Sequence, residues 1–167
     1  MKLKNSLGTA LCATLLLVSA SVFGETIPKI CYDTVDNTQF CTTDNLGKVQ
    51  VFVYNGGWCP PCNQEMSELP AVYQQFVGKD VVFASLSGEG YQRYTKPDQT
   101  FLKSWKAKHK IPFVVAGKYK DFGQSFQSPG TIPFSVIVDK KGNVAARGLD
   151  ASQIAAKVNQ LLKQDAE

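Results

Sequence analysis

Residues 58–62 read Trp-Cys-Pro-Pro-Cys and sit between an extended apolar run at 49–54 and a helix-patterned run that begins at Cys62. In the first run Val49, Val51 and Val53 alternate with Gln50, Phe52 and Tyr54, a strand signature that Gly56-Gly57 ends just before the cysteines. In the second, Met66, Leu69, Tyr73 and Phe76 recur at helical spacing until Gly78, with Pro70 inside the helix and expected to kink it. Residues 81–86, Val-Val-Phe-Ala-Ser-Leu, then read as a buried strand. Strand, helix and strand at this spacing make a right-handed βαβ unit with a parallel pair. That unit places the chain among α/β folds with helices packed on the sheet.

Placing two cysteines at the first turn of a helix has a chemical consequence. Unpaired N–H groups and a partial positive charge at the helix N-terminus favour thiolate over thiol. A cysteine that titrates near 8.5 when free falls to roughly 7 or below in such a setting. Cys59 then serves as nucleophile and Cys62, three residues on, resolves the mixed disulfide. Cys-x-x-Cys also marks zinc sites, but those need two further ligands. The chain has no second such pair, and its only histidine, His109, lies in a basic run and reads as a surface residue. The spacing therefore points to redox chemistry, without a metal or other cofactor. Pro60 and Pro61 have no N–H, so the first donor available to a Cys59 thiolate in that turn is Cys62.

Residues 1–24 have the form of a secretory signal peptide. Lys2 and Lys4 form the charged start, residues 7–22 the apolar core, and Val22-Phe23-Gly24 the cleavage region, leaving residues 25–167 as one domain. Removing the segment takes the formal charge from +4 to +2 through loss of Lys2 and Lys4, too little to suggest a nucleic-acid partner. It also removes Cys12, so four cysteines remain: Cys31, Cys41, Cys59 and Cys62. Four cysteines in an exported protein suggest two pairs. With residues 35–37 as a three-residue hairpin loop and Asn37 left-handed, Cys31 falls opposite Cys41, Tyr32 opposite Phe40 and Thr34 opposite Thr38. A two-residue turn would set Cys31 against Thr42 instead. The bridged hairpin is the more consistent reading, with a structural disulfide.

Downstream, residues 100–110 look helical, with Phe101, Leu102 and Trp105 on one side and Lys103, Lys106 and Lys110 mostly on the other. Those lysines read as a solvated face, docking of an acidic partner being the alternative. A short apolar segment at 111–116 and a helix at 120–126 follow, then strands at 134–138 and 144–147 about a turn at 139–143. Asp150 caps a last helix with Gln153 supporting it, and Ile154, Val158, Leu161 and Leu162 form its buried stripe.

The Trp58–Cys62 motif, Ile132-Pro133 ahead of a strand, and Asp139-Lys140-Lys141-Gly142-Asn143 together resemble the exported thioredoxin-like proteins of the TlpA-like group. The resemblance runs from Cys31 to the C-terminal helix. It implies a thioredoxin fold, an α/β fold with a mixed central sheet flanked by helices and here preceded by the hairpin, and thiol–disulfide exchange in the bacterial periplasm. Cys59 and Cys62 match the nucleophilic and resolving cysteines, and Pro133 matches a proline whose peptide bond is cis beside the disulfide. Glu89, after the second core strand, resembles an acidic residue some members keep near the active site; by topology it is the expected proton acceptor for Cys62. Two departures stand out: where members commonly have proline after Glu-Met this chain has Ser67, with its proline at Pro70, and Cys31 and Cys41 are not a general family feature.

The leading expectation is a protein-disulfide reductase that draws electrons from a membrane partner. The reverse direction would make it a disulfide-forming oxidase. A thiol peroxidase of related fold usually has threonine or serine ahead of its cysteine, where this chain has Gly56-Gly57-Trp58. A copper-binding assembly factor spaces its cysteines by three residues rather than two.

Overall fold

Strand β3 (Val49–Gly56) is buried along its whole length, and the sheet is built outward from it. It pairs in parallel with β4 (Val81–Glu89) and antiparallel with β6 (Phe134–Val138). β4 pairs in parallel with β5 (Val114–Gly117), and β7 (Val144–Arg147) closes one edge against β6. The N-terminal hairpin, β1 (Cys31–Thr34) and β2 (Gln39–Cys41), joins the other edge through β1 against β5. The sheet order is β2-β1-β5-β4-β3-β6-β7. Three helices complete the fold: α1 (Pro60–Gln74), α2 (Gln99–Lys108) and α3 (Ala151–Gln164). The computed structural model describes residues 25–164, so the signal-peptide expectation for residues 1–24 lies outside the described residues.

The alternation in β3 divides the core. Val49, Val51 and Val53 pack with Met66 and Leu69 of α1, Leu102 and Trp105 of α2, and Ile154 and Val158 of α3. Phe52 and Tyr54 point the other way, into a cluster with Tyr32, Phe40, Phe126 and Phe134. Fully burying each of these large side chains contributes on the order of 2–3 kcal/mol before entropy is counted.

Local sequence explains where element boundaries depart from expectation. α1 begins at Pro60, two residues before Cys62, because helix positions one and two need no N–H partner and tolerate proline. β5 starts at Val114, after Pro112, which cannot donate to a ladder. The helix expected at 120–126 is only a 3-10 turn, Gln124–Phe126, bounded by left-handed Gly123 and Gln127 with Lys120 also at φ 63°. His109 is buried rather than surface-exposed, with its ring centroid 4.3 Å from that of Trp105. Burial, then Lys108, hold its pKa below the ordinary histidine value.

The hairpin has the register Cys31↔Cys41 and Tyr32↔Phe40, with Asn37 at φ 57° and a disulfide joining the two cysteines. Asp150 and Gln153 cap α3 reciprocally: Gln153 N–H donates to Asp150 Oδ1 and Asp150 N–H to Gln153 Oε1, each at 3.0 Å. Hydrogen bonding from Gln153 holds the Asp150 pKa below its usual value.

Candidate active site

The parallel strands deliver their C-terminal ends to one rim of the sheet, and the redox turn leaves from β3 there. Cys59 is the N-cap of α1 and is disulfide-bonded to Cys62. Both are buried, whereas Pro60 and Pro61 between them are exposed. The N–H of Cys62 donates to Cys59 Sγ at 3.2 Å, the one donation that the first turn makes to this sulfur. Across the turn, Cys59 Sγ lies 3.6 Å from the Ile132 carbonyl oxygen, and the Ile132–Pro133 peptide bond is cis. Asn63 ties the turn down from the helix side by donating to the carbonyls of Gly57 (3.2 Å) and Cys59 (2.9 Å). Lys108 of α2 donates to Asn63 Oδ1 at 2.6 Å. Gly57 is needed for close packing: a Cβ there would lie 2.5 Å from the Phe101 ring and 2.9 Å from the Gly90 carbonyl oxygen.

Glu89 reaches the site through an irregularity in the sheet. The β3–β4 register runs Asn55↔Ser87 and then slips to Gly56↔Glu89. Asn55 fixes the slip from inside, donating to Ser85 Oγ (2.9 Å) and accepting from the Ser87 hydroxyl (2.7 Å). Glu89 ends β4 rather than lying in the following loop, and it is buried. Its Oε2 accepts the Trp58 indole N–H at 2.6 Å and its Oε1 the backbone N–H of Tyr94 at 2.9 Å. The structure thus brings Glu89 to Trp58, the residue before Cys59.

A second carboxyl was not singled out from the sequence. Glu65 stands one helical turn beyond Cys62 on the same buried stripe as Met66 and Leu69, and its Oε2 has no hydrogen-bond partner. Burial, with Asp150 and Glu68 nearby, raises its pKa from 4.5 to about 7. It lines a hollow of about 230 Å³ together with Pro61, Glu68, Pro133 and Asp150. The signal was present: an ionisable residue at a helical-core position three residues after Cys62. Among the described residues, no group of three or more His, Cys, Asp or Glu is placed to hold a metal ion.

A buried disulfide at a helix N-terminus, flanked by a cis-proline loop on a mixed sheet, defines a thioredoxin-like thiol–disulfide oxidoreductase. The chain belongs to the Redoxin family, whose model matches residues 23–163. It is similar to the thiol-disulfide oxidoreductase ResA of Bacillus cereus, 25% identical over 124 residues that cover 74% of this chain and 68% of that one. Among solved structures it superposes on a thioredoxin-family thiol:disulfide interchange protein from Chlorobium tepidum (TM-score 0.70, 19% identity, 86% of this chain and 99% of that one). The thioredoxin domain of a thiol-disulfide oxidoreductase from Bacteroides vulgatus fits equally well (TM-score 0.71, 19% identity, 86% and 99%).

Proposed function

We propose that the protein reduces disulfides of protein substrates outside the cytoplasm and is re-reduced by a membrane partner. In the reduced state, the Cys59 thiolate attacks one sulfur of a substrate disulfide. A Cys59–substrate disulfide forms and the other substrate sulfur leaves as a thiolate that takes up a proton. Deprotonated Cys62 then attacks Cys59 Sγ, releasing the second substrate thiolate and leaving the Cys59–Cys62 disulfide seen in the structure. Two electrons have passed to the substrate, and an electron donor must return two to the protein.

What supports the reducing direction most is the poor solvation of the Cys59 sulfur by the turn: two of the first three helical positions are prolines, and Cys62 N–H is the donor left. A thiolate held by one N–H is less stabilised than one held by a turn with more donors, and that makes the couple more reducing. The apolar N-terminal segment of the sequence supports export.

Cys62 is fully buried and must lose a proton before it can resolve the intermediate. We assign that proton to Glu65, which shares its helix face, has an unpartnered oxygen and ionises at about 7. We assign Glu89 the positioning of Trp58. Cys31–Cys41 is proposed as a structural disulfide and Pro133 as the residue that holds the loop at Cys59. Insulin reduction tests the disulfide-exchange reading. Wild type turns over, Cys59→Ser is inactive, and Cys62→Ser accumulates a mixed disulfide. Copper retention without insulin reduction would replace the enzyme with a binding module.

A further inference from the structure

The two sides of the redox turn differ in charge and in what they expose. On one side stand the loop from β4 to α2 and the segment after β5. The Arg93 guanidinium lies 4.1 Å from the Trp58 ring centroid, against the residue that precedes Cys59. Tyr91 and Tyr94 are 44% and 76% exposed, two of the four large hydrophobic side chains that the fold leaves uncovered among the described residues. Lys96, Lys118 and Lys120 are exposed around them. The carboxylates of the same segments are engaged by donors: Glu89 by Trp58 and Tyr94, Asp98 by the N–H of Phe101, and Asp121 by the Tyr32 hydroxyl and the N–H of Gly123. They offset part of the positive charge but are tied to the fold, whereas the cationic ends reach solvent.

Tyr94 carries an independent indication. Its backbone is left-handed at φ 64°, a region that a bulky residue occupies only under constraint. Both of its backbone groups are held there: the N–H by Glu89 Oε1 and the carbonyl by the Tyr119 hydroxyl, each at 2.9 Å. The fold thus fixes the backbone that presents an exposed tyrosine next to Arg93, and exposed tyrosines with a neighbouring arginine serve as interface anchors. The opposite side of the turn is the hollow that holds Glu65, Glu68 and Asp150, with no lysine or arginine among its lining residues.

We propose that the Tyr91–Tyr94 face, with Arg93, Lys96, Lys118 and Lys120, docks acidic residues on one flank of the substrate's disulfide. The inference rests on the reading that the substrate is a protein disulfide. The carboxylate-lined hollow disfavours acidic residues on the other flank. The face therefore orients the substrate chain across Cys59 and selects for asymmetric charge.

The test uses reduced Cys62→Ser protein and three peptides. Each carries one cysteine joined as a disulfide to a coloured aromatic thiol. Cys59 thiolate attacks the peptide sulfur, a Cys59–peptide disulfide forms, and the aromatic thiolate leaves with the electron pair of the broken bond. The peptides are identical except that two glutamines beside the cysteine are replaced by glutamates on its N-terminal side in one and on its C-terminal side in another. One acidic peptide is expected to react roughly tenfold faster than the neutral one at low salt, the other no faster. That advantage should vanish in Lys96→Gln/Lys118→Gln/Lys120→Gln protein, and for the unaltered face at about 0.5 M salt. Equal rates for the three, equal gains for both acidic peptides, or a gain that survives both treatments would overturn the inference while leaving the redox reading intact. Failure of all three to react would overturn both.

Discussion

Glu65 ionises near 4.5 in an unfolded chain and at about 7 in the fold, because its buried position penalises the charged form. The folded protein therefore binds this proton more tightly. The associated stability is complete below about 4.5 and is lost as pH rises through about 7. Glu65→Gln is expected to be more stable than the parent by up to roughly 3 kcal/mol above neutrality and little changed at about pH 4. Denaturant unfolding of the two oxidised proteins at both pH values measures this. His109 has the opposite slope, since a lowered histidine pKa costs stability as pH falls, so the difference between the two proteins is the quantity to compare. The same substitution should slow resolution of the Cys59 mixed disulfide and remove its pH dependence near 7. Glu89→Gln should change Trp58 fluorescence and leave that midpoint in place. A shifted midpoint in Glu89→Gln with none in Glu65→Gln would reverse the two assignments.

The two prolines make a further residue-scale prediction. Pro61→His adds a positive charge and a backbone N–H at the start of α1, beside a sulfur that has only the Cys62 N–H. The Cys59 pKa should fall and the reduction potential rise, moving the protein toward oxidation of substrates. Iodoacetamide alkylation against pH reads the first, and an unchanged pKa would show that the missing donors do not set it.

At the scale of elements, much was legible because short-range pattern and tertiary packing agree. The alternating valines of β3, the reciprocal Asp150–Gln153 cap and the symmetric pairs about Asp36 each satisfy a local rule that the fold keeps. Segment 120–126 was not legible as a 3-10 turn, because its left-handed Lys120 and Gly123 break a helical pattern that the side chains suggest. Nor was the slip at Gly56, since it is fixed by the buried amide of Asn55 against serines on another strand. Glu65 was hidden by the opposite cause: a polar letter within an apolar stripe is easily assigned to solvent until the packing of the helix is known. The hairpin itself gives a prediction. Replacing Cys31 and Cys41 with serine opens a short cross-link and should lower stability by roughly 2–3 kcal/mol, or about 5–10 °C in Tm. Insulin-reduction rates should stay near those of the parent. A fold that survives with activity lost would place this pair in the electron path.

Over the whole molecule, the sheet gathers chemistry at one rim and leaves stability to the rest. The Cys59–Cys62 pair, Glu65, the Trp58–Glu89 contact and the cis Ile132–Pro133 bond all meet at the redox turn. The hairpin disulfide sits on the outer pair of strands, separated from β3 by β5 and β4. No helix among the described residues is long and apolar enough to cross a membrane. The direction of electron flow is the central claim, and the reduction potential of the Cys59–Cys62 pair tests it most directly. Equilibration of the purified protein with dithiothreitol redox buffers, followed by thiol counting at Cys59 and Cys62, gives the value. A couple near or below that of thioredoxin, ~−270 mV, is the result this account predicts, and one near the strong oxidant DsbA, ~−120 mV, would contradict it.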